Sequence, residues 1–420
     1  MVSARPPRPA ILKYYLYQAA DSVGFIWPVF TLFLLWNDLS FTQIGALSAI
    51  SAILVVAFEI PTGYVADRYG RRNALVVGMA AMVVSTIGFV VADTFVEFAV
   101  LYAIWALAMA FQHGTADAWL YETLRAEMDE ESFTRVRGRG GAVYQWTSAV
   151  TMIAGGFLYV VHPTYPFVAS ALLNAVGVAV VLTMPRNVQF EASAVDDAVG
   201  VRASLAIVRT QFTAPGLRTV VPYVALFFGV VHVADTYIQP ITVEVLDGRL
   251  VDAMAALPIV GVAVPEEAVL GFVYAGFAVV AAIASYHAET VRRWVGLRHA
   301  LLVIPVLTAA SFLLPPAVPL LAIPVFFAMK GAYELCQPLV NQYLNDRTAG
   351  TGRATVLSAA SMAYAIVRAP LMPMVGIVAD GTTPIMAVAV LGSGFLVVAV
   401  ITLSVGSPMT APATSRRVER

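Results

Sequence analysis

The chain has 420 residues, of which 60% are hydrophobic and only 12% charged, and its formal net charge is -1; the mean hydropathy is +0.80. Soluble domains carry about 25% charged residues, so this composition excludes a water-facing globular enzyme, a disordered chain and a nucleic-acid binder, and leaves no basic surface for a polyanion. The single cysteine, Cys336, excludes an intramolecular disulfide and a cysteine-rich metal site, and nothing in the sequence calls for a cofactor.

A helix needs about 20 apolar residues to cross a bilayer. Polar breaks and Gly/Pro punctuation predict twelve such spans, at 11–36, 42–62, 74–92, 96–121, 141–161, 165–184, 219–245, 268–288, 299–314, 318–343, 355–378 and 384–405. The start, Met1 to Lys13, is basic and Pro-rich, and the apolar stretch after it is too long for a signal core, so it reads as a permanent first span. The predicted fold is all-α: a polytopic membrane protein of twelve transmembrane helices in two six-helix bundles. Residues 1–184 form the first bundle, 185–218 a cytoplasmic linker, 219–405 the second bundle and 406–420 a cytoplasmic tail. The loop from Leu246 to Glu267 is long enough for a short surface segment. Pro28, Pro240, Pro305 and Pro324 are expected to bend their spans.

With the N-terminus inside, all but three of the 25 Lys and Arg residues fall on cytoplasmic segments; Arg249 lies outside, and Lys330 and Arg368 lie within spans. A miscount by one span would destroy that asymmetry. Both termini are therefore expected in the cytoplasm.

Ionisable residues at membrane depth are costly and persist where they meet water, a partner or a substrate. They are Asp21 in span 1, His113 and Asp117 in span 4, His232 and Asp235 in span 7, Lys330 and Glu334 in span 10, and Arg368 in span 11. Spacings of three or four place each pair on one helix face, which makes the two His/Asp pairs candidate proton sites. Asp117 alternatively anchors the inner end of span 4 beside Glu122. Lys330/Glu334 is either a static ion pair or one that opens to an ionic substrate. Arg368 precedes Pro370 and Pro373, where a kink is expected, and can receive an anionic group or a carboxylate across a cavity.

Between spans 2 and 3 runs Gly63-Tyr-Val-Ala-Asp67-Arg68-Tyr-Gly70-Arg71-Arg72. The glycines allow a tight turn and close helix approach, and the lone acid can pair bidentately with arginine or face a helix N-terminus. This stretch resembles the signature loop of the major facilitator superfamily, G-x-x-x-D-R-x-G-R-R/K, at every fixed position. A weaker echo, Arg292-Arg293-Trp-Val-Gly296-Leu-Arg298, follows span 8. Asp117-Ala-Trp-Leu-Tyr-Glu122 with Phe133 to Arg139, and Tyr343-Leu-Asn345 with Arg353 to Ser358, are similar to a prokaryotic branch of the same superfamily.

The resemblance implies a conformational latch formed by Gly63, Asp67, Arg68, Gly70, Arg71 and Arg72. It also implies a central cavity lined by spans 1, 4, 7 and 10, the spans that carry most of the buried charges. The chain lacks the span-4 arginine and the span-5 proline of many proton-coupled exporters: it reads Phe111-Gln-His113-Gly114 and Ala154-Gly155-Gly156 there.

The expected function is a secondary active transporter of a small polar, ionic or amphipathic solute in the cell membrane, coupled to protons. Its partners are a small-molecule substrate, protons and the lipid bilayer, with no nucleic acid, and it acts as a monomer. The alternative is a non-transporting membrane sensor on the same fold. There is no Walker-type phosphate loop and no His-Glu-x-x-His motif, so ATP is not the driver and an intramembrane enzyme is not expected.

Overall fold

A computed structural model describes residues 9–126, 132–186, 217–246, 265–347 and 353–405. Nearly all of the expected linker, the long loop after span 7, the C-terminal tail and the arginines Arg5 and Arg8 lie outside the described residues. Within them the chain is helical and contains no strand.

The helices run in chain order as α1 (Pro9–Ala20), α2 (Phe30–Trp36), α3 (Phe41–Tyr69), α4 (Arg71–Gly88), α5 (Phe95–Gln112), α6 (Thr115–Ala126), α7 (Phe133–Val161), α8 (Tyr165–Thr183), α9 (Val220–Asp235) and α10 (Ile238–Leu246). They continue as α11 (Glu266–Tyr286), α12 (Ala288–Val295), α13 (Leu297–Ser311), α14 (Ala322–Arg347), α15 (Arg353–Gly381) and α16 (Pro384–Val405). Among the described residues seven helices are long and apolar enough to cross a membrane, and up to nine if each bent pair counts as one span. Every predicted span falls on a helix or on a helix pair.

Three predicted spans are broken. Span 1 is interrupted between α1 and a 3-10 turn at Trp27–Val29, span 4 at His113–Gly114, and span 7 between α9 and α10 with a 46° bend. Pro28 and Pro240 stand in the segments that follow two of these breaks. In contrast α15 runs unbroken from Arg353 to Gly381 through Pro370 and Pro373, and α13 passes through Pro305. Pro324 sits in the first turn of α14, where its missing N–H costs nothing. The expected loop between spans 8 and 9 is instead the two-turn helix α12, which meets α13 at 107°. On its exposed face Glu289 receives Arg292 and Arg293 at 2.6 and 2.9 Å. Hydrogen bonds from these two arginines hold its carboxyl down at about 2. The cluster contributes fully above the ordinary carboxylate range and is lost only as pH falls through about 2, so it is no physiological pH sensor.

Capping boxes start α3 and α5. Ser40 accepts from the Gln43 amide and Thr94 from the Glu97 amide, while each long side chain returns to the cap backbone. Aromatic packing builds the first-half core around Phe33, Phe89, Phe98 and Phe167, and the second-half core around Tyr223, Phe227, Phe326 and Phe395. Large apolar side chains such as Val91, Leu172, Val400 and Ile401 point outward, which suits a perimeter solvated by lipid.

The two sets of helices meet along α3–α15 and α7–α11. At the first seam backbones touch. A Cβ on Gly45 would strike the Met372–Pro373 backbone, and one on Gly376 would lie 2.5 Å from the Phe41 carbonyl. Only glycine allows this separation. Gly45→Val is therefore expected to destabilise the protein by about 1–3 kcal/mol through overpacking, seen as a lower thermal-unfolding midpoint in nanodiscs; an unchanged midpoint would show that the helices can separate at no cost.

Candidate functional site

A cavity of about 670 Å³ lies between the two sets of helices. Six of the eight residues predicted for such a cavity line it: Asp21, His113 and Asp117 from the first half, and His232, Asp235 and Arg368 from the second. Lys330 stands behind Asp235, and Glu334 is not part of the wall.

The second-half groups are wired across helices rather than along them. Asp235, at the end of α9, receives Lys330 Nζ of α14 at 2.6 Å, and both are largely buried. Lys330 also sits 5.9 Å from the centroid of the Phe277 ring. The expected pairing of Lys330 with Glu334 is thus replaced by one between helices: Asp235 offers a carboxylate from a facing element. Three residues before it, His232 accepts a hydrogen bond at Nε2 from Arg368 Nη1, 3.1 Å away. A guanidinium has no acceptor atom, so this ring must present a lone pair and carry its proton on Nδ1. Arg368 Nε is buried with no hydrogen-bond partner.

Asp21 sits where α1 stops. It lines the cavity beside Tyr17, and no basic side chain lies within ion-pairing distance of it among the described residues. The neighbouring Ser22 meets Ser148 at 3.0 Å and Thr151 at 3.3 Å on α7, and accepts from the Gly24 amide. These hydroxyls satisfy a chain break that lipid could not solvate.

The predicted His113/Asp117 pair does not form. α5 ends at Gln112 and Gly114 takes a φ of +71°, so the i, i+4 geometry of a continuous helix is lost. Asp117 instead accepts from Arg137 Nε of α7 at 2.8 Å. Both of these side chains are partly exposed and line the cavity, which marks its mouth at the arginine-rich end.

The opposite end is held closed by two contacts that charge-based reading overlooks. Gln239 is 4% exposed. Its Oε1 accepts from the amides of Thr31 at 2.7 Å and Leu32 at 3.2 Å, and its Nε2 donates to the Trp27 carbonyl at 2.8 Å. At the rim, Asp380 at the end of α15 accepts from the amides of Phe41 and Thr42 at 2.8 and 2.9 Å and from the Thr42 hydroxyl at 2.6 Å. It thereby caps the N-terminus of α3. A neutral amide one residue before Pro240 in an apolar span was the available signal for Gln239; Asp380 lies two residues past the predicted end of span 11.

In the signature loop Gly70 turns the chain at φ +93°. Asp67 pairs with Arg71, which also approaches Glu122 on α6 at 3.5 Å. Arg72 reaches the Met184 carbonyl at 3.4 Å, and Arg68 donates to the Tyr64 hydroxyl at 2.8 Å. These contacts are all within the first half. A Cβ on Gly63 would meet nothing within 4 Å, so the close helix approach expected there is not made.

Among the aromatic side chains, Tyr14, Tyr17, Trp27 and Trp105 line the cavity. Trp119 is instead packed on Tyr14 with its Nε1 on the Pro185 carbonyl, and the Tyr223 hydroxyl donates to the Leu302 carbonyl.

A sequence profile of the Major Facilitator Superfamily matches residues 19–372. An uncharacterized MFS-type transporter, YxaM of Bacillus subtilis (strain 168), is 25% identical over 146 residues, 35% of this chain. The match spans 36% of that protein, so it relates the two chains over about a third of their length. Among solved structures, the nucleoside transporter NupG superposes with a TM-score of 0.72 at 11% identity, covering 94% of this chain and 98% of that one. A POT family transporter in complex with 5-aminolevulinic acid gives 0.68 at 12% identity, covering 97% of each chain. A D-xylose-proton symporter gives 0.61 at 13%, covering 95% and 97%. At these identities the likeness is one of fold.

Removing one member of the Asp235–Lys330 pair leaves the other charge buried, which costs about 3–5 kcal/mol in a dry interior and less beside a watery cavity. Lys330→Met is expected to lower the unfolding midpoint clearly, and Asp235→Asn/Lys330→Met to recover most of the loss. If the double variant were no more stable than Lys330→Met, the pair would not be the cause.

Proposed function

Because the chain belongs to the Major Facilitator Superfamily and is a multi-pass membrane transporter, we propose that it is a secondary active carrier. In this reading it moves a small polar, ionic or amphipathic solute across the cell membrane by alternating access, with a proton carried on Asp21. The observation that supports this best is the cavity between two sets of helices, which carries ionisable side chains from both, is hydrogen-bonded at one end by Gln239 and Asp380 and is lined at the other by partly exposed Asp117 and Arg137.

The two halves, residues 1–184 and 219–405, act as rocking bundles joined by a cytoplasmic linker, with both termini in the cytoplasm and a single chain as the working unit. In this reading the arginine-rich side is the open one, as the exposed Asp117 and Arg137 on the cavity wall suggest. Asp67 and its arginines hold to the first half here; closure of that side would bring them against the second half, as the latch reading requires. Relatives of this fold named for nucleosides or for D-xylose and protons fit a polar cargo without selecting one.

Asp21 is the proton carrier in this reading for a geometric reason. It lines the cavity at a helix break with no ion pair among the described residues, whereas Asp117 and Asp235 are each tied to a cation. A carboxylate without a cation at membrane depth is least costly when protonated, and its proton can leave only when water reaches the break.

Spin-label distances test the reading without a known substrate. In a Cys336→Ser background, labels at the exposed positions Thr134 and Trp294 report the arginine-rich end, and labels at Val96 and Leu320 the opposite end. Lowering pH from about 8 to about 5 is expected to change the two distances in opposite senses. Asp21→Asn, which mimics the protonated carboxyl, is expected to hold the low-pH distribution at both. Distances that never change reciprocally would remove alternating access; an unaltered pH response in Asp21→Asn would remove Asp21 as the carrier. A companion substitution, Asp67→Asn, is expected to slow exchange between the two states while the unfolding midpoint stays that of the wild type; unchanged exchange would remove the latch.

A further inference from the structure

Three acids and three bases meet at or just behind the cavity wall, and most of them neutralise one another. Asp117 is on Arg137 and Asp235 on Lys330. What remains on the second-half side is Arg368, whose contact is an uncharged histidine nitrogen. The nearest acid along α9, Asp235, is kept off it by Lys330. Glu334 does not line the cavity, and no carboxylate lies within ion-pairing distance of Arg368 among the described residues.

The guanidinium is also half used. Nη1 donates to His232, Nε is buried without a partner, and Nη2 makes no hydrogen bond to a described residue. Nε and Nη2 form the edge of the fork that matches the two oxygens of a carboxylate. His232 holds the opposite nitrogen, so seating a carboxylate on the free edge requires the side chain to turn that edge toward the cavity that Arg368 lines.

Across the cavity the first half presents a flat apolar wall. Phe30 stacks on Tyr102 at 5.8 Å and 13° and on Trp105 at 5.7 Å and 20°, and all three line the space. A volume of about 670 Å³ is in the range of sites that enclose a whole drug-sized molecule.

We propose that the solute is an organic monoanion, its carboxylate seated on the Nε–Nη2 edge of Arg368 and its aromatic or alicyclic body against Phe30, Tyr102 and Trp105. Such a ligand supplies the missing countercharge of the second half and spans to the first, giving the two halves a common load. The inference rests on the transporter reading, and deepens it from any polar solute to one charge class.

The test uses sets of ligands that share a body and differ in head group. The wild-type chain in nanodiscs is heated with phenylacetate, indole-3-acetate or cyclohexylacetate, and with the amine and the alcohol carrying the same ring, each at about 5 mM. At least one acid is expected to raise the unfolding midpoint, while its amine and alcohol counterparts do not. Arg368→Gln should weaken binding of that acid about ten-fold or more, as loss of a charge-assisted pair implies, and Arg368→Lys should fall between, since it keeps the charge and loses the fork.

Amines that stabilise as well as the acids, no stabilisation by any acid, or an Arg368→Gln variant that binds within two-fold of wild type would each overturn the proposal. Head-group selectivity in the unaltered chain remains decisive if Arg368→Gln fails to fold. Binding is read here whether or not the halves move, and the spin-label distances read motion whether or not a ligand binds, so the two readings fail separately.

Discussion

A polar group held at membrane depth must find a partner or water, because lipid offers neither. That constraint accounts for where this otherwise apolar chain departs from regular helix. Span 1 breaks beside Asp21, and the loosened backbone is taken up by Ser22 against Ser148 and Thr151. Span 7 breaks after Asp235, and the first turn beyond it delivers Gln239 to the amides and carbonyl of the span-1 segment. The breaks, the charges and the cavity coincide because each exists only where the others supply hydrogen-bond partners.

Much of the architecture was readable from composition and periodicity. Runs of apolar residues mark helices whatever their tertiary neighbours, and ionisable residues inside them mark a protected interior. The pairing of those residues was not readable, for a definite reason. Helical spacing licenses only contacts along one helix, and it suggested His113 with Asp117 and Lys330 with Glu334. Gly114 breaks the first geometry by turning the chain through the left-handed region. The second loses to Asp235, a carboxylate 95 positions away in sequence but 2.6 Å away in space. Gln239 escaped because a search for charge passes over a neutral amide, although an uncharged polar residue buried beside a proline is just as demanding of partners.

The arginine-rich loop illustrates a different limit. Its residues announced themselves by type and spacing, yet spacing alone did not say which partners they take. Here Asp67, Arg71, Arg72 and Arg68 bond to their own half, and the glycine at position 63 looks onto empty space. The motif is visible in the sequence as an unusual concentration of charge, while its partners are visible only in the fold.

The carboxylate of Asp380 differs from the Gln239 amide in one respect, its access to water. Gln239 lines the cavity but is only 4% exposed, so little of it is open to water. Asp380 stands exposed at the rim, where water competes for the bonds it accepts from the first turn of α3, which as bonds to a charged group contribute about 1.5–3 kcal/mol each. Two contacts at one end of the cavity are thus set apart by hydration: the rim carboxylate trades its bonds against bulk water, and the buried amide has its partners almost to itself.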